Sequence, residues 1–234
     1  MPPAPPELLP KPPRHLVRAP RQQRGRDRQD ALIRAGLHLT ETRNWDEVKV
    51  EDIAAEIGCS TGTFYTRFRN KAAYFDVLVD LVTQVMQTRS NAFFDAPERG
   101  LETPQEFIER WIALALHSFA THRGLYATAV IELRRHPPQV VAASPLLRFR
   151  DRSREQFMQA MARWPRWRSA AARRPLLFAH QLVQGVLINA VLTNPGPLQL
   201  QDPEFHAQLA AALSAYLGLR EASTENPPAP RRTR

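Results

Sequence analysis

Ser60, Thr61, Thr63, Tyr65 and Arg67 bring hydroxyl groups and a guanidinium together over one short stretch that holds no carboxylate and no imidazole. Such a set cannot activate a nucleophile, but it can bind. Short hydroxyl side chains beside the free backbone N–H groups of a helix N-terminus suit phosphate oxygens and base edges. An arginine can meet a guanine through two parallel hydrogen bonds. Gly62 lies among them and marks a close backbone approach, either to DNA or to an adjacent helix.

The histidines offer no competing chemistry. His117, His122, His136, His180 and His206 are scattered, and the first two are five residues apart, on different faces of a helix, with no acidic partner at metal-ligand spacing. A glycine-rich phosphate loop, paired carboxylates and a nucleophile elbow are all missing. The pattern predicts neither an enzyme nor a metal site, and implies no cofactor. Cys59 is the single cysteine, which excludes an intramolecular disulfide and suits a reducing cytoplasm.

Helices must position the binding stretch. Leu32, Ile33, Leu37 and Leu39 or Thr40 recur at helical spacing, and Asn44 is expected to end that helix in the left-handed conformation, with Trp45 folding back on the last turn. Glu51 and Asp52 place carboxylates in the first turn of a second helix over 50–57, whose Ile53, Ala54 and Ile57 face inward. Gly58, Cys59 and Ser60 then turn the chain, with Ser60 as the N-cap acceptor of a helix over 61–68. Two helices joined this tightly cross steeply, as a helix-turn-helix does. Phe64, Phe68 and Ile53 anchor the second helix from behind. A strut over 71–90 follows.

The charge of +9 favours polyanionic partners, nucleic acid before anionic membrane. A hydrophobic share of 43% supplies a core, and the 21 prolines gather in the ends and at helix boundaries. Residues 1–25 and 221–234 read as disordered tails rich in proline and arginine, and Arg14, Arg18, Arg21, Arg24 and Arg26 could add phosphate contacts. No apolar run of ~18 residues is apparent, so no membrane span is expected. Beyond Pro97 helices are expected at 104–121, 125–135, 146–162, 175–192 and 203–217. The fold class is all-α: a three-helix unit over 26–72 and a larger helical domain over 73–220.

The run Ile53-Ala54-Ala55-Glu56-Ile57-Gly58-Cys59-Ser60-Thr61-Gly62-Thr63-Phe64-Tyr65-Thr66-Arg67-Phe68-Arg69-Asn70-Lys71 resembles the DNA-binding signature of the TetR family of bacterial regulators. Its Ile-Ala pair, Gly-apolar-Ser turn, Gly-Thr-apolar-Tyr, Phe and following Lys occur in order. The resemblance implies a phosphate contact for the Tyr65 hydroxyl and another for Lys71. Arg67 departs from the His or Tyr common there, and Lys49 from the Thr or Ser before the second helix, losing an N-cap and gaining a cation. It also implies a homodimer on a pseudo-palindromic operator, two recognition helices ~34–36 Å apart. A repressor released by a small-molecule effector is the family's commoner behaviour.

For the effector, polar tips on apolar helices nominate Trp111, His117, Ser118, Tyr126, Gln181 and Gln184. The all-round apolar character of the last two helices nominates Leu182, Val186, Leu187, Leu209 and Leu213 for the dimer interface. The rival to DNA binding is a helix-turn-helix acting through protein partners, or as an activator without a small ligand.

Overall fold

The computed structural model describes residues 23–96, 102–194 and 196–219, and all regular structure among them is helical. The arm up to residue 22 and the tail from residue 220, with the phosphate contacts expected of Arg14, Arg18 and Arg21, lie outside the described residues.

Helix α1 spans Gln23–Thr42, so it begins inside the stretch expected to be disordered and carries Arg24, Gly25 and Arg26 within its first turns. Asn44 does not adopt the left-handed conformation: its φ is −68°, and it starts a short 3-10 turn, Trp45–Glu47. Trp45 packs on Tyr74 and Phe75 of the strut, at ring distances of 5.9 and 5.3 Å, rather than on the end of α1. Helix α2 (Val50–Glu56), α3 (Thr61–Arg67) and α4 (Lys71–Asp95) follow. Gly58 supplies the positive φ, 61°, of the tight turn.

The three short elements are held by one aromatic cluster. Phe64, Phe68 and Tyr74 are fully buried, with Tyr74 5.0 Å from Phe64 and 4.6 Å from Phe68 between ring centroids. Edge-to-face pairs at such distances add about 0.5–1.5 kcal/mol each beyond their buried area. The Tyr74 hydroxyl donates to the Leu32 carbonyl at 2.6 Å, tying the strut to α1. This approach needs Gly36, because a Cβ there would lie 2.1 Å from the Tyr74 oxygen.

The larger domain comprises α5 (Pro104–Thr121), α6 (Arg123–Leu133), α7 (Pro138–Ala142), α8 (Pro145–Met161), α9 (Ala170–Leu192) and α10 (Pro203–Tyr216). Helix α5 starts with a full capping box, Thr103 accepting from Glu106 N and Glu106 accepting from Thr103 N, with Pro104 at the first position. Helix α9 starts earlier than Pro175. Ser169 caps it by accepting from Ala172 N, and Pro175 lies inside the second turn, where the carbonyl it leaves unbonded belongs to exposed Ala171. Helix α4 packs along α8, α5 against α9 and α10, and α6 across α1.

Helix α9 is long and apolar enough to cross a membrane by length and composition, contrary to the count of apolar runs in the sequence. Its Leu176, Ala179, Val183 and Leu187 are buried inside the bundle, while 33% of the apolar window as a whole is buried.

Candidate nucleic-acid interface

Sealing the aromatic cluster behind α3 turns the opposite face outward. Tyr65 is 50% exposed, and Ser60, Gly62, Thr66 and Arg69 are exposed beside it. Thr61, Thr63 and Arg67 are half-buried. The Ser60 and Thr63 hydroxyls pair with each other at 3.3 Å instead of Ser60 capping the helix, so the expected side-chain cap is not made; the Thr63 N–H donates to the Ser60 carbonyl at 2.9 Å, which leaves the Thr61 and Gly62 amides as the first-turn donors of α3. A Cβ at Gly62 would meet only the Ser60 Oγ, 3.6 Å away, which overturns close packing on a neighbouring helix and leaves an open surface. Arg67 is half-buried, and its Nε is buried without a hydrogen-bond partner among the described residues.

Lys49 is exposed at the start of α2, where Asp52 replaces the lost cap from the other side, its carboxylate accepting the Lys49 N–H at 2.9 Å. That N–H, and then the Arg43 guanidinium 2.9 Å away, hold the Asp52 carboxyl below the ordinary carboxylate range. Lys71 is not a free cation. Its Nζ donates to the Trp45 carbonyl at 3.0 Å and lies 4.7 Å over the Trp45 ring. Burial lowers its pKa, opposed by Asp46 and Asp52.

A joint connects this face to the larger domain, and nothing in the spacing of residues announced it. Gly124, at the start of α6, packs so tightly that a Cβ would fall 2.0 Å from the Arg43 carbonyl oxygen. His122 beside it is half-buried. Burial depresses its pKa, opposed first by Glu41 and then by a hydrogen bond with the Leu37 backbone.

The residues nominated for an effector do not form one set. Trp111, Ser118 and Gln184 border an internal void of about 20 Å³, and Tyr126 borders a second of about 10 Å³. Gln181 faces outward from α9, and His117 is exposed with its Nε2 3.1 Å from Arg89. Neither reaches a void, because helical periodicity on an apolar helix does not say which side the bundle covers. His180 was not nominated. It is 3% exposed between Trp111 and Phe157, its Nε2 has no partner, and burial, then Arg154 and Arg150, push its pKa down to about 4.

The nominated dimer residues also divide. Leu187, Leu209 and Leu213 belong to the core of the single chain, at 0%, 6% and 0% exposure, which overturns their assignment to an interface. Leu182 and Val186 are half-buried at the edge of an open face that carries Phe178, Gly185 and Leu192 on α9 and Ala211, Ala215 and Tyr216 on α10. Phe178 and Tyr216 touch across it at 5.4 Å.

Residues 32–78 match the family model described as "Bacterial regulatory proteins, tetR family". The HTH-type transcriptional regulator EthR of Mycolicibacterium smegmatis is 33% identical over 111 residues, 45% of this chain, and the match spans half of that relative's length. Among solved structures, a tetR-family transcriptional regulator from Streptomyces coelicolor superposes with a TM-score of 0.62 at 17% identity, covering 83% of this chain and 82% of the other. A transcriptional regulator from Saccharomonospora viridis, in complex with choline, gives 0.64 at 15% identity over 82% and 96%. These two likenesses establish the fold. With the signature around Gly58 and Tyr65 on a helix-turn-helix of this geometry, residues 32–78 match the DNA-binding unit of the tetR family of bacterial regulatory proteins.

Proposed function

We propose that the protein is a sequence-specific DNA-binding transcriptional regulator that acts as a homodimer, represses from a pseudo-palindromic operator and works in the cytoplasm. The observation that carries this reading is the α3 surface. Exposed Gly62 and Tyr65, with the half-buried Thr61, Thr63 and Arg67 beside them, sit on a helix locked in place by a fully buried aromatic cluster. A rigid helix bearing donors at its N-terminal end suits the major groove, while Tyr65, Lys49 and Lys71 serve the phosphates. Arg67 would read a guanine, worth about 1–3 kcal/mol of discrimination.

The open α9 and α10 face supplies the two-fold contact. Gly185 and the alanines let two helix pairs approach closely, and Phe178, Leu192 and Tyr216 supply apolar area. An effector that moves α4 would alter the spacing of the two recognition helices. By reciprocity, operator DNA must change effector affinity by the same factor.

Selection of random duplex DNA at ~150 mM salt tests the reading, because nonspecific electrostatic binding weakens there while base readout survives. Enrichment of an inverted repeat is the expected result. Enrichment of no sequence at any salt would sink it.

A further inference from the structure

Two contiguous clefts run along the outside of the seam between α4 and α8, one of about 460 Å³ and one of about 470 Å³, sharing Arg152 and Glu155. Small-molecule sites occupy ~300–1,000 Å³, and each cleft falls in that range, whereas the void beneath Trp111 holds about 20 Å³, room for little more than a water. In this conformation the seam, rather than the interior, has space for an organic molecule.

Its floor is polar and already ordered. The Asn91 Oδ1 accepts from Gln87 at 2.8 Å and from Gln156 at 2.9 Å, and the buried Ser90 hydroxyl donates to the Gln156 carbonyl oxygen at 2.9 Å. Those bonds leave the Asn91 amide N–H groups unused. The walls of the first cleft carry both signs: Arg152 and Arg163 face Asp95 and Glu155. Arg163 donates to the Phe94 carbonyl, but Arg152, Glu155 and Asp95 make no side-chain ion pair or hydrogen bond with another of the described residues. A purely anionic ligand would meet the two carboxylates and a purely cationic one the two guanidinium groups. A small zwitterion meets neither penalty, and the carboxamides can serve its remaining polar atoms.

We propose that the α4/α8 seam is a binding site for a small zwitterion of the amino-acid class, its carboxylate toward Arg152 and its ammonium toward Glu155 and Asp95. A molecule seated there presses on the strut whose first residue is Lys71. That regulatory consequence rests on the DNA-binding reading, but the site itself does not.

Calorimetric titration of the full chain, without DNA, separates the two. L-Glutamine is the probe, with glutarate as the dianion and putrescine as the dication of similar size. The expected result is saturable glutamine binding at or below ~10 mM, weakened at least tenfold by Arg152→Ala and by Glu155→Gln. Both side chains are exposed, so both variants should fold and keep the operator affinity of the ligand-free protein. Absence of glutamine binding, tighter binding of glutarate or putrescine, or glutamine binding undiminished in both variants would each overturn the proposal.

Discussion

Lys71 and Trp45 are joined twice, by a 3.0 Å hydrogen bond from the ammonium to the backbone carbonyl and by the position of that ammonium 4.7 Å above the indole ring. The first residue of the strut is thereby fastened to the turn that precedes α2. Lys71→Met should lower stability by about 1–2 kcal/mol, from one hydrogen bond and one cation–π contact. Urea melts read that loss. The salt dependence of operator affinity reads a second role, since an ammonium that also neutralises a phosphate lowers the slope by about 1 when removed. An unchanged slope would confine Lys71 to holding the turn.

Thr63→Ala combined with Arg67→Ala should cost specific DNA binding at least tenfold while leaving the helical circular dichroism intact, because neither side chain belongs to the aromatic cluster. Anisotropy with the selected operator and with a scrambled duplex measures it. Equal loss on both duplexes would show that the pair contacts only the backbone of the DNA.

Gly36→Ala should destabilise the DNA-binding unit by about 1–3 kcal/mol, since the new methyl would lie 2.1 Å from the Tyr74 oxygen and 2.8 Å from its ring carbon. Tyr74→Phe in the same chain removes only the nearer atom, so recovery should be partial. Full recovery in the double variant would mean that the hydroxyl alone sets the clash.

Acid should weaken the fold through His180. Its folded pKa is about 4, below the ordinary value of 6.5, so between those values the unfolded chain binds a proton that the native chain does not. Stability is therefore complete above about pH 6.5 and falls as pH drops toward 4, by roughly 3 kcal/mol at most. His122 shifts in the same direction and adds to the trend. Denaturant midpoints from pH 7 to 4, compared with His180→Phe, test the assignment, and an identical slope in that variant would refute it.

Gly185→Arg should yield folded monomers, because position 185 is exposed and no neighbouring atom lies within 4 Å of a Cβ there. Leu187→Asp, two residues on, should instead unfold the chain, as it buries a charge in the core. Light scattering coupled to size exclusion distinguishes the cases. A dimeric Gly185→Arg protein would move the interface elsewhere.

The helix-turn-helix was legible because its constraints are local: a glycine with positive φ, an apolar triplet behind α3, and a short loop that permits few crossing geometries. The larger domain was less so. Pro175 looked like a helix start, yet the cap comes from Ser169, six residues earlier, since a proline near the N-terminus forfeits only one bond. Leu187 and Leu209 looked like interface because an all-apolar helix offers no polar side from which to infer orientation. The roles of His180, Arg152 and Asn91 were not legible for another reason. Their significance comes from neighbours on other helices, and a one-dimensional pattern holds no record of those.

The backbone contact between Gly124 and the Arg43 carbonyl bears on how such regulators can be recombined. Exchange of DNA-binding units between relatives is a route to new sensor and operator pairings, and the strut α4 is the covalent bridge it must cross. Here a second bridge exists, with no side chain on one side of it. A chimaera that joins a foreign N-terminal unit to this larger domain, or the reverse, must keep a glycine opposite that carbonyl, or its two halves will seat at an altered angle.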